Sequence, residues 1–447
     1  MAEGTTTSEQ LTATALEEID RRSNLNAYIS VDAVAAIEHA RRLDQQRERQ
    51  QILGPLHGIP IAVKDNVHVA DVPNTAGTPL LQSFVPVEDA PVVARLKAAG
   101  AIVVGKTNLH ELAFGITSVN EAFGAVGNAC DPGFMAGGSS GGTAVAVAAG
   151  MAVAGLGTDT GGSVRIPAAL NGIVGFRPTV GRYPAAGLTR ISSTRDTVGP
   201  MARSVADVAV LDAVMTGENV ALPEVDLRGL RLGVPRRYFF DALEPRVAES
   251  VEALLTALRD EGAVLVEEDL PGIAALNEAV SFPVVLFETG VLLRDYLAEY
   301  VPTQTLETLA DSIASPDVKS IIGGVVNGDM PESAYRIAID VDRPRLRDAY
   351  ANYFALHSLD AIVFPTTPLT ARPFTDVGET VVLNGEPVPT FATYIRNTDP
   401  GSNAGIPGLS IPLPVAVGEM PVGVEIDGPE GNDRQLLAIG AAIQRLV

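Results

Sequence analysis

The sequence predicts an α/β fold: a single large domain whose mixed, mostly parallel central sheet is covered by helices on both faces. Three observations predict it. Apolar runs of strand length alternate with stretches of helical spacing along most of the chain. Those strand runs are nearly continuous in apolar residues, which is the pattern of strands buried on both faces. No internal repeat, low-complexity segment or obvious linker divides the 447 residues, a length that large α/β enzymes reach as one domain. Residues 1–447 are therefore read as one unit, with a core over about 60–225 and a mainly helical subregion over about 270–358.

The elements follow in order. SEQLTATALEEIDRRS and VDAVAAIEHARRLDQQRERQQ place apolar residues at helical spacing, and LNAYISV between them is a short strand. GIPIAVKDN is a buried strand that ends at Lys64. PVVARLKAAG is a helix closed by Gly100, AIVVG a second buried strand, and TNLHELAFG a short helix. A helix over Thr143–Val153, a strand near AGLGTD and a helix after TGGSVR come next. LRGLRLGVPRRYF opens a further strand, and PRVAESVEALLTALRDEGAVLVEED reads as helix, then strand. LDAIVFPTTP and GLSIPLPV are late buried strands, and NDRQLLAIGAAIQRLV is the closing helix.

Composition narrows the function classes. The net charge of −22 repels phosphate backbones and argues against a nucleic-acid partner. The single Cys130 rules out an intrachain disulfide, and no Cys/His cluster has zinc spacing, so no metal site is expected. No apolar run reaches the roughly 18 residues of a membrane span; the best candidate, Thr143–Leu156, is broken by Gly150 and Gly155 and is too short. MAEGTTTSEQ lacks the basic head and apolar centre of a leader, so a cytoplasmic protein is expected. Lysine is scarce: 4 residues (Lys64, Lys97, Lys106 and Lys319) against 28 arginines.

Two motifs mislead. GAIVVGKT, Gly100 to Thr107, matches GxxxxGK[ST]. Its middle residues Ala-Ile-Val-Val favour a strand, not the loop whose amides wrap phosphate. GSSGG, Gly138 to Gly142, matches the G-x-S-x-G elbow around Ser140, but that elbow needs an acid and then a histidine downstream. The only histidine after His110 is His357, inside a stretch that reads as helical. His39, His57, His68 and His110 show no metal-ligand spacing, and solvated or structural roles suit them.

AGGSSGGTAVAVAAGMAVAGLGTDTGGSVRIP holds Ser139 and Ser163 in glycine-rich beds with no histidine near. The base for such a serine must then be a carboxylate or a lysine. Lys64 ends the strand IPIAVK, where ligands of parallel sheets bind. Alternation puts Ile59, Ile61 and Val63 on one face and Pro60, Ala62 and Lys64 on the other, with Asp65 directed away. A neutral lysine at pH 7 needs its pKa lowered by about 3 units, roughly 4 kcal/mol against the charged form. TDTGGS supplies backbone amides of Thr160, Gly161, Gly162 and Ser163 near a helix start, where an oxyanion can be held.

GGSSGGTAVAVAAGMAVAGLGTDTGGSVRIPAALNGIVGFRPT, together with the lysine of VKDN, resembles the signature block of the amidase signature enzymes. The likeness extends from about LNAYISVD to the last helix. This resemblance implies the amidase signature fold and a Ser–cisSer–Lys triad carried over as Ser163, Ser139 and Lys64. Ser163 would be the nucleophile, and Ser139 would pass its proton to neutral Lys64. A cis peptide would join Gly138 to Ser139, and the amides of Thr160, Gly161, Gly162 and Ser163 would bind the oxyanion. Ser140 would hydrogen-bond within its loop, Asp196 would support the site, and no cofactor would be needed.

GRYPAAGLTRISSTRDTVGPMARSVADVAVLDAV and NTDPGSNAGIPGLSIPLPV look like bacterial indoleacetamide and mandelamide hydrolases, more than like the amidotransferase A subunit. Small aryl or arylalkyl amides are thus the expected substrates. A carbamate (urethane) hydrolase using the same triad, an amidotransferase A-type subunit and an α/β-hydrolase-type esterase are the alternatives. The likeness departs at the N-terminus, where about one leading helix is missing, which leaves a monomer and a homodimer both open. Candidate pocket walls are the loop Ile116–Met135, the Thr194–Asp196 region and Tyr394–Asn403.

Overall fold

The strand PIAVK shows how the molecule is layered. In the computed structural model, which describes residues 6–447, Pro60–Lys64 is buried at every position. Ile61 and Val63 face a large core with Val92, Val93 and Leu96 of the helix Pro91–Ala98. Ala62 faces the opposite way, against Val145 and Ala146 of the helix Gly141–Ala148. The expected alternation therefore holds, and Lys64 emerges on the Ala62 side. The first five residues of MAEGTTTSEQ, on which the leader reading partly rests, lie outside the described residues.

In chain order the strands are β1 (Tyr28–Val31), β2 (Pro60–Lys64), β3 (Ile102–Thr107), β4 (Ala154–Asp159), β5 (Val174–Arg177) and β6 (Thr197–Ala202). They continue with β7 (Arg231–Gly233), β8 (Val264–Val266), β9 (Ala361–Pro365), β10 (Thr380–Leu383), β11 (Glu386–Pro389), β12 (Gly408–Pro412) and β13 (Gly423–Asp427). Eleven of them form one sheet in the order β1-β3-β2-β4-β6-β5-β12-β13-β9-β7-β8, and β10 and β11 form a separate hairpin.

The central sheet is mixed, as the sequence predicts, but parallel pairing has a smaller share than expected. Parallel ladders join β2 to β3 and β4, and β7 to β8 and β9. The remaining ladders of the sheet are antiparallel. Continuous apolar runs report burial on both faces and carry no information on strand direction, which explains the difference.

Helices Val205–Thr216, Pro245–Asp260 and Asp433–Gln444 join Pro91–Ala98 over one face, where Phe176, Leu409, Ile411, Val424 and Ile426 are buried. Burying each such side chain contributes about 1.5–3 kcal/mol. On the other face, Ile362 and Phe364 pack against the helices Ile273–Tyr300 and Arg343–His357.

Several elements differ from expectation. β6, TVGPMA, was hidden by Gly199 and Pro200, since an internal proline argues against a central strand. TNLHELAFG forms only the 3-10 turn Glu111–Ala113, with Leu112 and Ala113 at φ 52° and 61°. Tertiary contacts override the helix there: Glu111 accepts from the Thr78 hydroxyl and from the amides of Ala314 and Ser315. The β10–β11 hairpin turns on Asn384 and Gly385, both at positive φ (53° and 88°), the geometry that Asn-Gly favours. The stretch GAIVVGKT becomes β3, so no phosphate-binding loop exists there.

Ile273–Tyr300 is the one helix among the described residues that is long and apolar enough, by length and composition, to cross a membrane. This corrects the expectation that no such stretch exists: Asn277, Glu278 and Glu288 interrupt the apolar residues but leave the helix apolar on average. In the fold, its Val280, Val284, Glu288, Thr289 and Leu293 are buried against protein.

Candidate active site

Lys64 is the last residue of β2, enclosed between β3 and β4 and fully buried. Its Nζ donates to Ser139 Oγ at 2.8 Å and to Thr158 Oγ1 at 2.9 Å. No carboxylate forms an ion pair with it among the described residues. Asp65 points to the other side, where Lys106 pairs with it at 2.8 Å. Lys97 pairs with Asp89, and Lys319 donates to the Asp311 carbonyl at the surface. Lys64 is thus the lysine whose burial is not offset by a contact ion. Burial lowers its pKa to about 7, and the more distant charges of Asp159 and Asp196 oppose that shift.

The Gly138–Ser139 peptide is cis. It delivers Ser139 to Lys64 just before the helix Gly141–Ala148. Ser140 turns away: its hydroxyl donates to the Thr158 carbonyl (3.1 Å) and accepts the Thr158 amide (3.2 Å). The partner of Ser140 is therefore β4, not its own loop, where the resemblance places the bond. Ser163 lies beside this loop, its carbonyl accepting the Ser140 amide at 3.1 Å. The Ser163 side chain faces a cavity and makes no hydrogen bond among the described residues, so the Ser139–Ser163 link that the resemblance implies is open here.

Asp159 ends β4 and shapes the turn that carries Ser163. Its Oδ1 accepts the Gly162 amide at 2.9 Å, and its Oδ2 accepts the Val164 amide at 3.2 Å. Arg165 reaches both oxygens (3.0 and 3.1 Å), and Arg177 reaches Oδ1 at 3.0 Å. Burial alone would raise this carboxyl, but the two guanidinium groups outweigh it and hold Asp159 well below the usual carboxylate range.

The Gly162 amide is consequently occupied, while those of Thr160, Gly161 and Ser163 have no protein acceptor among the described residues. Gly162 has a different requirement: at φ +140°, a Cβ there would lie 2.1 Å from Thr398 Oγ1. Asp196 accepts the Thr160 hydroxyl at 2.6 Å and the amides of Ile191 and Ser192 at 2.8 and 2.9 Å.

Ser163, Thr160 and Gly161 open onto a cavity of about 170 Å³. Phe114 and Ile116 form one wall, and Ile191 and Ile395 two others. Phe282, Val285 and Leu286 of the helix Ile273–Tyr300 close it, and Phe391 lies 6.2 Å from Phe282, ring to ring. Arg195 and Asp399 also line it, paired at 2.5 Å.

Each of the three wall segments expected from sequence contributes, through Ile116, Arg195, and Ile395 with Asp399. The long helix was missed, because its apolar face reads in the sequence as core. Thr158, Asp159 and Arg165 were missed as well. The charged pair in TDTGGSVR, strand end followed by helix start, was the available signal. Among the described residues, no group of three or more His, Cys, Asp or Glu is placed to hold a metal ion.

The family model described as Amidase matches residues 10–437. The chain is 43% identical over 441 residues to an indoleacetamide hydrolase of Agrobacterium vitis, covering 98% of this chain and 93% of that one. It is 44% identical over 463 residues to a mandelamide hydrolase of Pseudomonas putida, covering 99% and 88%. Among solved structures it superposes on the native peptide amidase of Stenotrophomonas maltophilia with a TM-score of 0.84 at 31% identity, covering 99% of this chain and 94% of that one.

Proposed function

The chain belongs to the amidase family, and we propose that it hydrolyses small aryl or arylalkyl amides through an acyl-enzyme on Ser163. One observation carries this reading: a buried lysine with no ion partner among the described residues donates to Ser139 at 2.8 Å, beside a serine that opens onto a cavity. In the proposed reaction Ser163 Oγ attacks the carbonyl carbon. Its proton passes to Ser139 Oγ while the Ser139 proton passes to neutral Lys64. Closing the Ser163–Ser139 contact belongs to substrate binding, since catalytic hydrogen bonds commonly tighten only in the loaded site.

The amides of Thr160, Gly161 and Ser163 would hold the oxyanion, with Gly162 shaping the turn through Asp159. The relay then runs backwards, and the departing amine takes the proton. Water repeats the cycle on the ester and regenerates Ser163. The apolar walls suit an aryl group, and the paired charges of Arg195 and Asp399 favour a substrate without net charge. The names of the two hydrolase relatives point the same way.

Incubating the purified protein with an arylacetamide, an aryl carbamate and an aryl ester, and measuring liberated ammonia or amine from the first two and liberated phenol from the ester, tests this. Release from the amide is expected. Turnover of the carbamate with none of the amide would replace the reading with that of a urethane hydrolase using the same residues.

The acid limb of activity has a defined position and sign. Lys64 must be neutral to accept a proton, so kcat/KM is expected to rise with pH through a midpoint near 7, where burial places its pKa. Asp196 favours the ammonium form; Asp196→Asn is therefore expected to move the midpoint to lower pH while lowering the plateau. A pH–rate profile of both proteins measures this, and an unmoved midpoint would remove Asp196 from the electrostatics of the lysine.

A further inference from the structure

We infer that Glu288 is a positioning residue for the turn that binds the oxyanion, acting through the segment Ile191–Asp196 on Thr160; this rests on the reaction proposed above. Glu288 lies on the helix Ile273–Tyr300 and is buried. Its Oε2 accepts three hydrogen bonds from the segment: Ser192 Oγ at 2.5 Å, the Thr194 amide at 3.2 Å and Thr194 Oγ1 at 3.1 Å. Its Oε1 accepts the Tyr335 hydroxyl at 3.3 Å. The neighbouring Thr289 adds a bond from its hydroxyl to the Ile191 carbonyl at 2.9 Å.

A carboxylate with this many donors is an anchor, because removing it would leave the buried Ser192 hydroxyl and the half-buried Thr194 amide and hydroxyl without their acceptor. The same segment holds the catalytic turn at two points. Asp196 Oδ1 takes the Thr160 hydroxyl at 2.6 Å, and Arg195 Nε donates to the Thr160 carbonyl at 3.1 Å. Thr160 is therefore oriented at its side chain by Asp196 and at its backbone by Arg195, the residues that directly follow Thr194, where Glu288 ties the segment down. Glu288 itself is absent from the cavity lining, whereas Phe282, Val285 and Leu286 of the same helix form part of it. One helix thus walls the substrate and fixes the segment behind the oxyanion donors.

A double-mutant cycle with Thr160→Val separates positioning from general support of the fold. Melting curves set an assay temperature at which every variant is folded, and kcat and KM are measured on an arylacetamide. Glu288→Ala is expected to lower kcat about 10- to 100-fold with KM changed less than about threefold, the pattern of an interaction lost mainly in the transition state. Glu288→Gln keeps an acceptor oxygen and is expected to restore kcat to within about fivefold of wild type. In the Thr160→Val background the added effect of Glu288→Ala is expected to shrink to about twofold, since coupled positions are non-additive.

Full multiplicative effects, or a Glu288→Ala enzyme with wild-type kcat, would overturn the inference and leave the reaction standing. Absence of Ser163-dependent turnover in the wild-type protein would overturn both.

Discussion

Ser163→Ala is expected to abolish amide hydrolysis, lowering kcat by about 10⁴-fold or more, with the fold intact. The two halves of this expectation have separate causes. The hydroxyl is the proposed nucleophile, and the turn around it holds no substitute: Ser140 is bonded on both sides to Thr158, and Ser139 is taken by Lys64. The same hydroxyl has no hydrogen-bond partner in the described protein, so its removal strands no buried group, and stability should change by less than about 0.5 kcal/mol. Amine release at high enzyme concentration, alongside thermal unfolding, measures both. Retained turnover would exclude Ser163 as nucleophile. Ser139→Ala provides the contrast, with an expected loss of about 10²–10⁴-fold, the range of a proton-transfer group.

Arg165→Met is expected to produce the largest stability loss of any single substitution near the site, about 3–5 kcal/mol. Arg165 is fully buried and binds Asp159 twice, Glu425, the Thr398 carbonyl (3.0 Å) and Ser402 Oγ (2.6 Å). Methionine fills much of the volume but leaves Asp159 with Arg177 alone and Glu425 with no cation. Glu425 stands beside Asp427, and burial raises both carboxyls, Asp427 to about 6. With the arginine gone, Glu425 is pushed up further.

A group whose folded pKa is raised contributes stability at low pH and loses it as pH rises. The deficit of the variant should therefore be smaller at pH 5 than at pH 8. Denaturant unfolding at both values checks the sign, and a deficit that grows toward acid would contradict it. Activity should fall too, because Asp159 holds the Gly162 and Val164 amides that shape the turn.

Much of this was legible in the sequence. PIAVK announced a two-faced strand with Lys64 at its end, and its alternation correctly sent Ile61 and Val63 one way and Ala62 and Lys64 the other. Rejecting GAIVVGKT as a loop and GSSGG as a hydrolase elbow needed only strand propensity and the lack of a downstream histidine. Elsewhere local signals failed. Pro200 concealed β6, and Glu111 is drawn out of a helical pattern by partners at Ala314 and Ser315, far along the chain.

What the sequence determined by itself was the α/β class, the glycine-bedded serines, the amidase resemblance and a lysine at the end of a buried strand. Local periodicity and residue type carry all of that. Only the tertiary structure decided which amides of TDTGGS lack an acceptor among the described residues, that Lys64 has no contact ion among them, and that Phe282 walls the cavity while Glu288 accepts from Ser192 and Thr194 behind it. Those facts depend on contacts between residues distant in sequence, and on how burial and paired charges balance at one point in space. No period along the chain records them.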